Sequence, residues 1–256
     1  MPTATFITGS AGSGKSTLTK NILKESSNYL VINLDPASIH PINTEDKEYD
    51  PKIIYDIRED FIFDELLETS GLGPNALLLN SFSFFLDNFN FENLENISKN
   101  LIIDCPGQIE LYLHDENFKK LIKNFEKYFR PVIVFLIDGV SLSEKKYLSS
   151  SVVFLLTMRR IWCPFIGIIT KSDLAINQLE DKNFFRHFQD CYDSFHSFDM
   201  LDYIDSDSLN ATDKAIFNIL ENNRLDYYVM NTSNVESVDF LKNEIQAICG
   251  LDESGE

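Results

Sequence analysis

Positive charge is scarce in this chain. Its 22 Lys and Arg stand against 40 Asp and Glu, a formal net charge of −18. Such a chain repels nucleic acid and anionic membranes, so neither is expected as a direct partner. Cysteine is sparse too: the four at 105, 163, 191 and 249 include no C-x-x-C pair. That pattern argues against a zinc ribbon or a disulfide framework and for reduced thiols in the cytosol or nucleus. Long apolar runs are missing, since none approaches the roughly 18 residues that a membrane-spanning helix needs. The start, MPTATFITGS, has no basic segment and too short an apolar stretch for a signal peptide.

Glycine is also scarce, at ten residues, yet three of the ten fall between positions 9 and 14. The stretch Gly9-Ser-Ala-Gly-Ser-Gly14-Lys15-Ser16 fits G-x-x-x-x-G-K-[ST], a phosphate-binding loop. Thr3–Thr8 before it is β-branched and aromatic, as a buried strand should be, and Thr17–Lys24 after it has helical apolar spacing. Gly12, Ser13 and Gly14 would turn backbone N–H groups toward a phosphate, with those of Ser16 and Thr17 at the helix start. Lys15 would reach the terminal phosphates, and the Ser16 hydroxyl would ligate Mg²⁺.

Strand and helix patterns alternate along the chain, which predicts an α/β fold with a mostly parallel sheet covered on both faces. Strands are expected at Ala4–Thr8, Tyr29–Leu34, Leu101–Asp104, Val132–Ile137, Phe165–Thr170 and Tyr227–Met230. Helices are expected at Lys15–Lys24, Ile109–Phe129, Ser143–Ile161 and Val235–Ile248. The 256 residues suit one domain carrying helical insertions at about 60–98 and 175–225. Two stretches concentrate acid: Glu45–Glu68, with ten Asp/Glu, and Asp193–Asp213, with six Asp and no Lys or Arg. They read as solvated faces or as a docking face for a basic partner.

Three further segments carry chemistry. Leu101–Asp104 followed by Cys-Pro-Gly107-Gln108-Ile-Glu110 places a carboxylate at a strand end and a glycine just beyond it. Asp104 would hold Mg²⁺, the Gly107 N–H would meet the γ-phosphate, and Gln108 would orient water. Thr170-Lys171-Ser-Asp173 has the [NT]-K-x-D form that reads guanine: Asp173 accepts from the N1–H and the exocyclic amine, while the Lys171 stem lies over the base. A buried Asp at that site would go unpaired against adenine. Thr170 stands where Asn is commoner and normally braces the loop. Asn33-Leu-Asp35-Pro-Ala37 ends the second strand, where Asp35 would support water or Mg²⁺, or simply form an Asp-Pro turn. Gly73-Pro74-Asn75 by itself reads as a turn.

In combination, GSAGSGKS at 9–16, NLDPA at 33–37, DIRE at 56–59, GPN at 73–75, DCPGQIELY at 104–112 and TKSD at 170–173 resemble the GPN-loop GTPases. The T-K-S-D form and short C-terminus look most like the third of three eukaryotic paralogues, with the second close behind. The resemblance implies a P-loop GTPase fold binding GTP or GDP with Mg²⁺, and a homodimer or a heterodimer with a paralogue. It gives Gly73, Pro74 and Asn75 a role at the partner's nucleotide, and Asp35, Gln108 and Glu110 a role around the catalytic water. It also implies work in assembly and nuclear import of RNA polymerase II, from a cytoplasmic protein that shuttles to the nucleus. One departure stands out: the family's usual GPN-Gly-Gly is GPN-Ala76-Leu77 here. Because these two cannot take glycine-only angles, the loop's exit is expected to differ.

Two other functions compete. A client-binding module with little hydrolysis would use the Phe-rich segment 82–91 and the second insertion. An ATP-driven partitioning protein or a small-molecule kinase would share the phosphate loop. The partitioning class carries an extra Lys early in that loop, where this chain has Ser10 and Ala11. No arginine is placed by the sequence as a charge-stabilising finger.

Overall fold

The computed structural model describes residues 1–37, 52–140, 142–176 and 182–250, without the side chains of residues 109, 110, 176 and 182–185. Eight strands form one sheet: β1 (Thr3–Gly9), β2 (Tyr29–Asn33), β3 (Ile53–Asp56), β4 (Asn100–Asp104), β5 (Arg130–Asp138), β6 (Phe165–Thr170), β7 (Ser197–Phe198) and β8 (Tyr227–Val229). Their order is β3-β2-β4-β1-β5-β6-β8-β7. All neighbours run parallel except β7 against β8. Parallel strands need crossovers, and helices covering both faces explain why the strands read as unbroken apolar runs.

One face is packed by Ala4, Phe6, Leu101 and Ile103 against Phe82, Phe118 and Phe125. The other is packed by Val31, Ile102 and Val132 against Leu18, Ile22, Leu241 and Ile245. Those partners come from α1 (Lys15–Glu25), α4 (Pro74–Asn88), α6 (Glu116–Phe125) and α11 (Val235–Ile248). Six strands and the helices α1, α7 (Glu144–Arg160) and α11 lie where the sequence pattern puts them.

The differences have local causes. Strand β3 was not expected; it is four residues long and follows an acidic polar stretch. The expected helix Ile109–Phe129 is two helices, α5 (Ile109–Leu113) and α6. The break falls at Asp115, whose carboxylate accepts from the Asn117 N–H at 2.9 Å and so starts a new helix inside the apolar period.

The first insertion carries α2 (Ile57–Asp60), α3 (Phe63–Thr69) and α4. The Phe-rich segment belongs to the core: Phe82 and Phe85 are fully buried, and Phe84, Phe89 and Phe91 are half-buried beside them. Phe82 stacks on Phe118 at 5.8 Å. This removes that segment as the client surface of a binding module. The departure at Ala76-Leu77 also resolves, because α4 starts at Pro74 and runs helically through both residues, with Leu77 buried.

The second insertion carries α8 (Ser172–Ile176), α9 (Lys182–Ser194), β7 and α10 (Ala211–Glu221). It packs on α7 (Glu144–Arg160) through Phe188, Phe198, Phe217 and Leu220. Its residues 177–181, and residues 38–51, which include the start of the first acidic stretch, lie outside the described residues. Among the described residues, no helix is long and apolar enough to cross a membrane.

Candidate nucleotide site

The loop between β1 and α1 is shaped by its glycines. Gly12 and Gly14 hold φ of 77° and 91°, in the left-handed region that side chains with a Cβ resist. Gly14 is also the N-cap of α1, and the first intrahelical bond runs from the Leu18 N–H to the Gly14 carbonyl at 2.9 Å. A helix start leaves its first N–H groups without intrahelical partners, and here those of Lys15, Ser16 and Thr17 stand at the loop. Lys15 is almost fully buried, and its Nζ donates to the carbonyls of Gly9 at 3.3 Å and Ser10 at 3.2 Å. Burial lowers its pKa, while Asp104 and Asp35 oppose that shift.

Sheet register brings the carboxylates to the same end. Asn33 of β2 pairs with Asp56 of β3 on one side and with Asp104 of β4 on the other. Asp104 in turn aligns with Ile7 of β1, two residues before the loop. This is the carboxyl end of parallel strands, where open α/β sheets hold their ligands. Asp104 is fully buried, and neither of its carboxylate oxygens has a hydrogen-bond partner. Burial pushes its pKa up to about 7; Lys15 and the nearby Ser16 hydroxyl offset part of the rise. Asp35 is half-buried and accepts from the Ala37 N–H at 3.1 Å; burial raises its pKa, and Lys15 works against it.

Gly107 closes the loop from above. A Cβ at this position would lie 2.8 Å from the Ala11 Cα and 2.9 Å from the Lys15 Nζ, so only glycine fits without displacement. Gln108 follows it, half-buried, whereas the Glu110 side chain lies outside what is described.

On the other side of β1, Thr170 ends β6. Its hydroxyl lies 2.8 Å from the Ser13 carbonyl and 3.1 Å from that of Ile137, and its single proton serves one of them at a time. The side chain of Thr170 therefore braces the phosphate loop as the larger Asn would. Lys171 has φ of 56°, and its Nζ lies 3.2 Å from Asp138. Asp173 is exposed in the first turn of α8. Burial of its carboxylate would thus come only with a bound base.

Gly73, Pro74 and Asn75 stand apart from this cluster, exposed at the start of α4. The remaining candidates — Gly12, Ser13, Gly14, Lys15, Ser16, Thr17, Asp35, Asp104, Gly107, Gln108, Thr170, Lys171 and Asp173 — gather along one edge of the sheet.

Comparison with known proteins follows the same line. A family model described as "Conserved hypothetical ATP binding protein" matches residues 7–250. GPN-loop GTPase 3 of Danio rerio is 35% identical over 182 residues, covering 67% of this chain and 61% of that one. Its namesake in Schizosaccharomyces pombe is 32% identical over 190 residues, covering 70% and 64%. The chain belongs to the GPN-loop GTPase family. GPN-loop GTPase 3 of Eremothecium gossypii is similar over 98% of this chain and 93% of its own length, at 26% identity. The first of these relatives is matched over only 61% of its length. Among solved structures, nickel-bound HypB from Helicobacter pylori covers all of this chain and 91% of its own, at 12% identity and a TM-score of 0.43, too low to support any conclusion.

Three further residues of this GPN-loop family member stand at the same edge. Thr232 is buried, with its Oγ1 3.8 Å from where a Gly14 Cβ would lie. Asn21 of α1 donates to the Thr232 carbonyl at 2.7 Å and ties that loop to the helix. Arg58 forks onto Asp56, with its Nε 2.9 and 3.1 Å from the two carboxylate oxygens. No motif marks Asn21, and Arg58 stands in the D-I-R-E segment at 56–59 without a role assigned by the sequence.

Proposed function

We propose that this protein binds GTP and hydrolyses it with Mg²⁺. The observation that carries the proposal is the bond from Thr170 to Ser13, which joins the guanine-reading segment to the phosphate loop. Lys15 and the N–H groups at the start of α1 would hold the phosphates, and Asp173 would read the base. The residues fit Mg²⁺: Asp104 has two orphaned buried oxygens beside the Ser16 hydroxyl. Among the described residues no cluster of three or more His, Cys, Asp or Glu could cage a metal, which suits an ion held largely by phosphate and water. When bound, Mg²⁺ would neutralise charge on the phosphates.

In the reaction, a water oxygen bonds to Pγ as the bond from Pγ to the bridging oxygen breaks. The electron pair leaves with GDP, and the water proton passes to the released phosphate. Gln108, Glu110 and Asp35 would position that water. Catalysis is then mainly positioning and charge stabilisation. A single-turnover assay decides the assignment: Gln108→Ala should slow hydrolysis at least about tenfold while GTP still binds. An unchanged rate would remove Gln108 from the mechanism.

The ATP reading keeps the description of the matching family model in its favour. The T-K-S-D segment favours guanine, and competition between GTP and ATP for the same site separates the two.

We further propose a dimer, with itself or with a paralogue, in which Asn75 approaches the partner's nucleotide. The exposed loop supports it, as do the exposed Ile62 just before α3, Leu67 on α3, Leu72 between the helices and Leu79 on α4. Mixing Asn75→Ala with Lys15→Ala protein should restore one composite site; no recovery in verified mixed dimers would place the loop's action in cis. A cytoplasmic role in RNA polymerase II assembly and nuclear import rests on family likeness alone. Equal capture of polymerase subunits by the GTP- and GDP-loaded forms would count against nucleotide switching.

A further inference from the structure

We propose that Arg58 is an arginine this chain supplies in cis to the phosphoryl group being transferred, held in place by Asp56 and Asn33. The inference rests on the GTP hydrolysis proposed above. Asp56, Asn33 and Asp104 stand level on three adjacent strands, and Arg58 lies two residues past Asp56, at the carboxyl edge. The Arg58 Nε donates to both oxygens of Asp56 at 2.9 and 3.1 Å, and its Nη2 also bonds that carboxylate. Asn33 donates to the same carboxylate from the other side at 2.8 Å and lies 3.4 Å from the Asp35 carbonyl. The fork fixes the plane of the guanidinium, and Asn33 fixes the fork.

Two carboxylates connect Arg58 to the phosphate loop. Arg58 and Lys15 both act on Asp35 and on Asp104, so the two carboxylates lie within reach of two cations. Lys15 belongs to the phosphate loop; Arg58 follows β3 and is held on Asp56. A γ-phosphate at the loop would therefore meet Lys15 directly and the Arg58 guanidinium beside it, the latter already paired with Asp56. As the Pγ–O bond to GDP breaks, charge spreads over the equatorial oxygens, and a fixed cation there lowers the barrier without reorganising. Arg58 exchanges no proton in this step.

A purely structural role explains less. The Arg58 N–H already receives the Asp56 cap at 3.1 Å, which starts α2 without the guanidinium. Asn33 already ties Asp56 to β2.

Three variants test this: Arg58→Ala, Arg58→Lys and Asp56→Asn. Two readouts are needed, single-turnover GTP hydrolysis and formation of the GDP–Mg²⁺–aluminium fluoride complex, followed with a fluorescent GDP. Arg58→Ala should lose about 10²-fold or more in rate and fail to form the fluoride complex, with GTP affinity within about threefold. Arg58→Lys should recover little, because an ammonium lacks the planar fork. Asp56→Asn keeps the arginine and should lose less than Arg58→Ala. Equal losses in Arg58→Ala and Asp56→Asn, with matching falls in melting temperature, would make the pair a strut and overturn the proposal. So would a normal fluoride complex in Arg58→Ala. If the wild-type protein bound GTP without hydrolysing it, the proposed function and this role of Arg58 would fail together, whereas hydrolysis by wild type with an unaffected Arg58→Ala would overturn the arginine alone.

Discussion

Replacing Asp104 with Asn should stabilise the nucleotide-free protein and disable it. Asp104 is fully buried with two orphaned oxygens, and burial raises its pKa from 3.8 to about 7. The folded state therefore binds a proton more tightly than the unfolded chain does. The penalty that Asp104 alone places on the fold is absent below about pH 4, grows as pH rises toward 7, and is complete above it. The gap of about three pH units amounts to about 4 kcal/mol at pH 8 as a ceiling. A buried, imperfectly bonded Asn amide returns about 1–3 kcal/mol of that. A net gain of about 1–3 kcal/mol remains, and it should shrink as pH falls from 8 to 5. Urea titrations of both proteins at several pH values, without Mg²⁺ or nucleotide, measure it. The same samples with Mg²⁺ and GTP should reverse the order, because only Asp104 gains from the ion. An Asn variant less stable than wild type at pH 8, or a difference that does not change with pH, would refute the reasoning.

Two further outcomes follow from packing and bonding. Thr170→Val removes the brace on Ser13 while keeping the shape, so it should cost about 1–2 kcal/mol and weaken GTP binding several-fold, whereas Thr170→Ser should retain both; calorimetric titration and thermal melts read the two effects. Phe82→Ala empties a fully buried position stacked on Phe118 and should cost about 3–5 kcal/mol by denaturant unfolding, with GTP affinity unchanged well below the melting temperature.

Sequence pattern revealed the elements that stand on strong local signals. The strands β1, β2, β4, β5, β6 and β8 are apolar because helices cover both of their faces. The phosphate loop announces itself because its chemistry demands glycines in one order. What escaped depended on distant contacts. Strand β3 is short and only partly buried, so its apolar signal is weak, and Arg58 went unplaced with it. Asp115 reads as one polar residue on an amphipathic helix until its carboxylate is seen capping Asn117. Thr170 carries no sign in sequence of the Ser13 carbonyl 157 residues away. The Phe-rich segment 82–91 is ambiguous between surface and core until α4 is laid against α6, and then it is core.

The central claim is that a guanine nucleotide occupies this edge of the sheet, read by Asp173. Affinities of wild-type and Asp173→Asn protein for GTP, ATP and XTP, measured by one titration method with Mg²⁺ present, test it most directly. An Asn amide can donate to the 2-carbonyl that xanthine carries in place of guanine's amine. The account predicts wild-type preference for GTP over both ATP and XTP by about 10²-fold or more, lost in the variant with a gain for XTP. Equal binding of ATP and GTP by the wild-type protein, or GTP affinity untouched by Asp173→Asn, would contradict it.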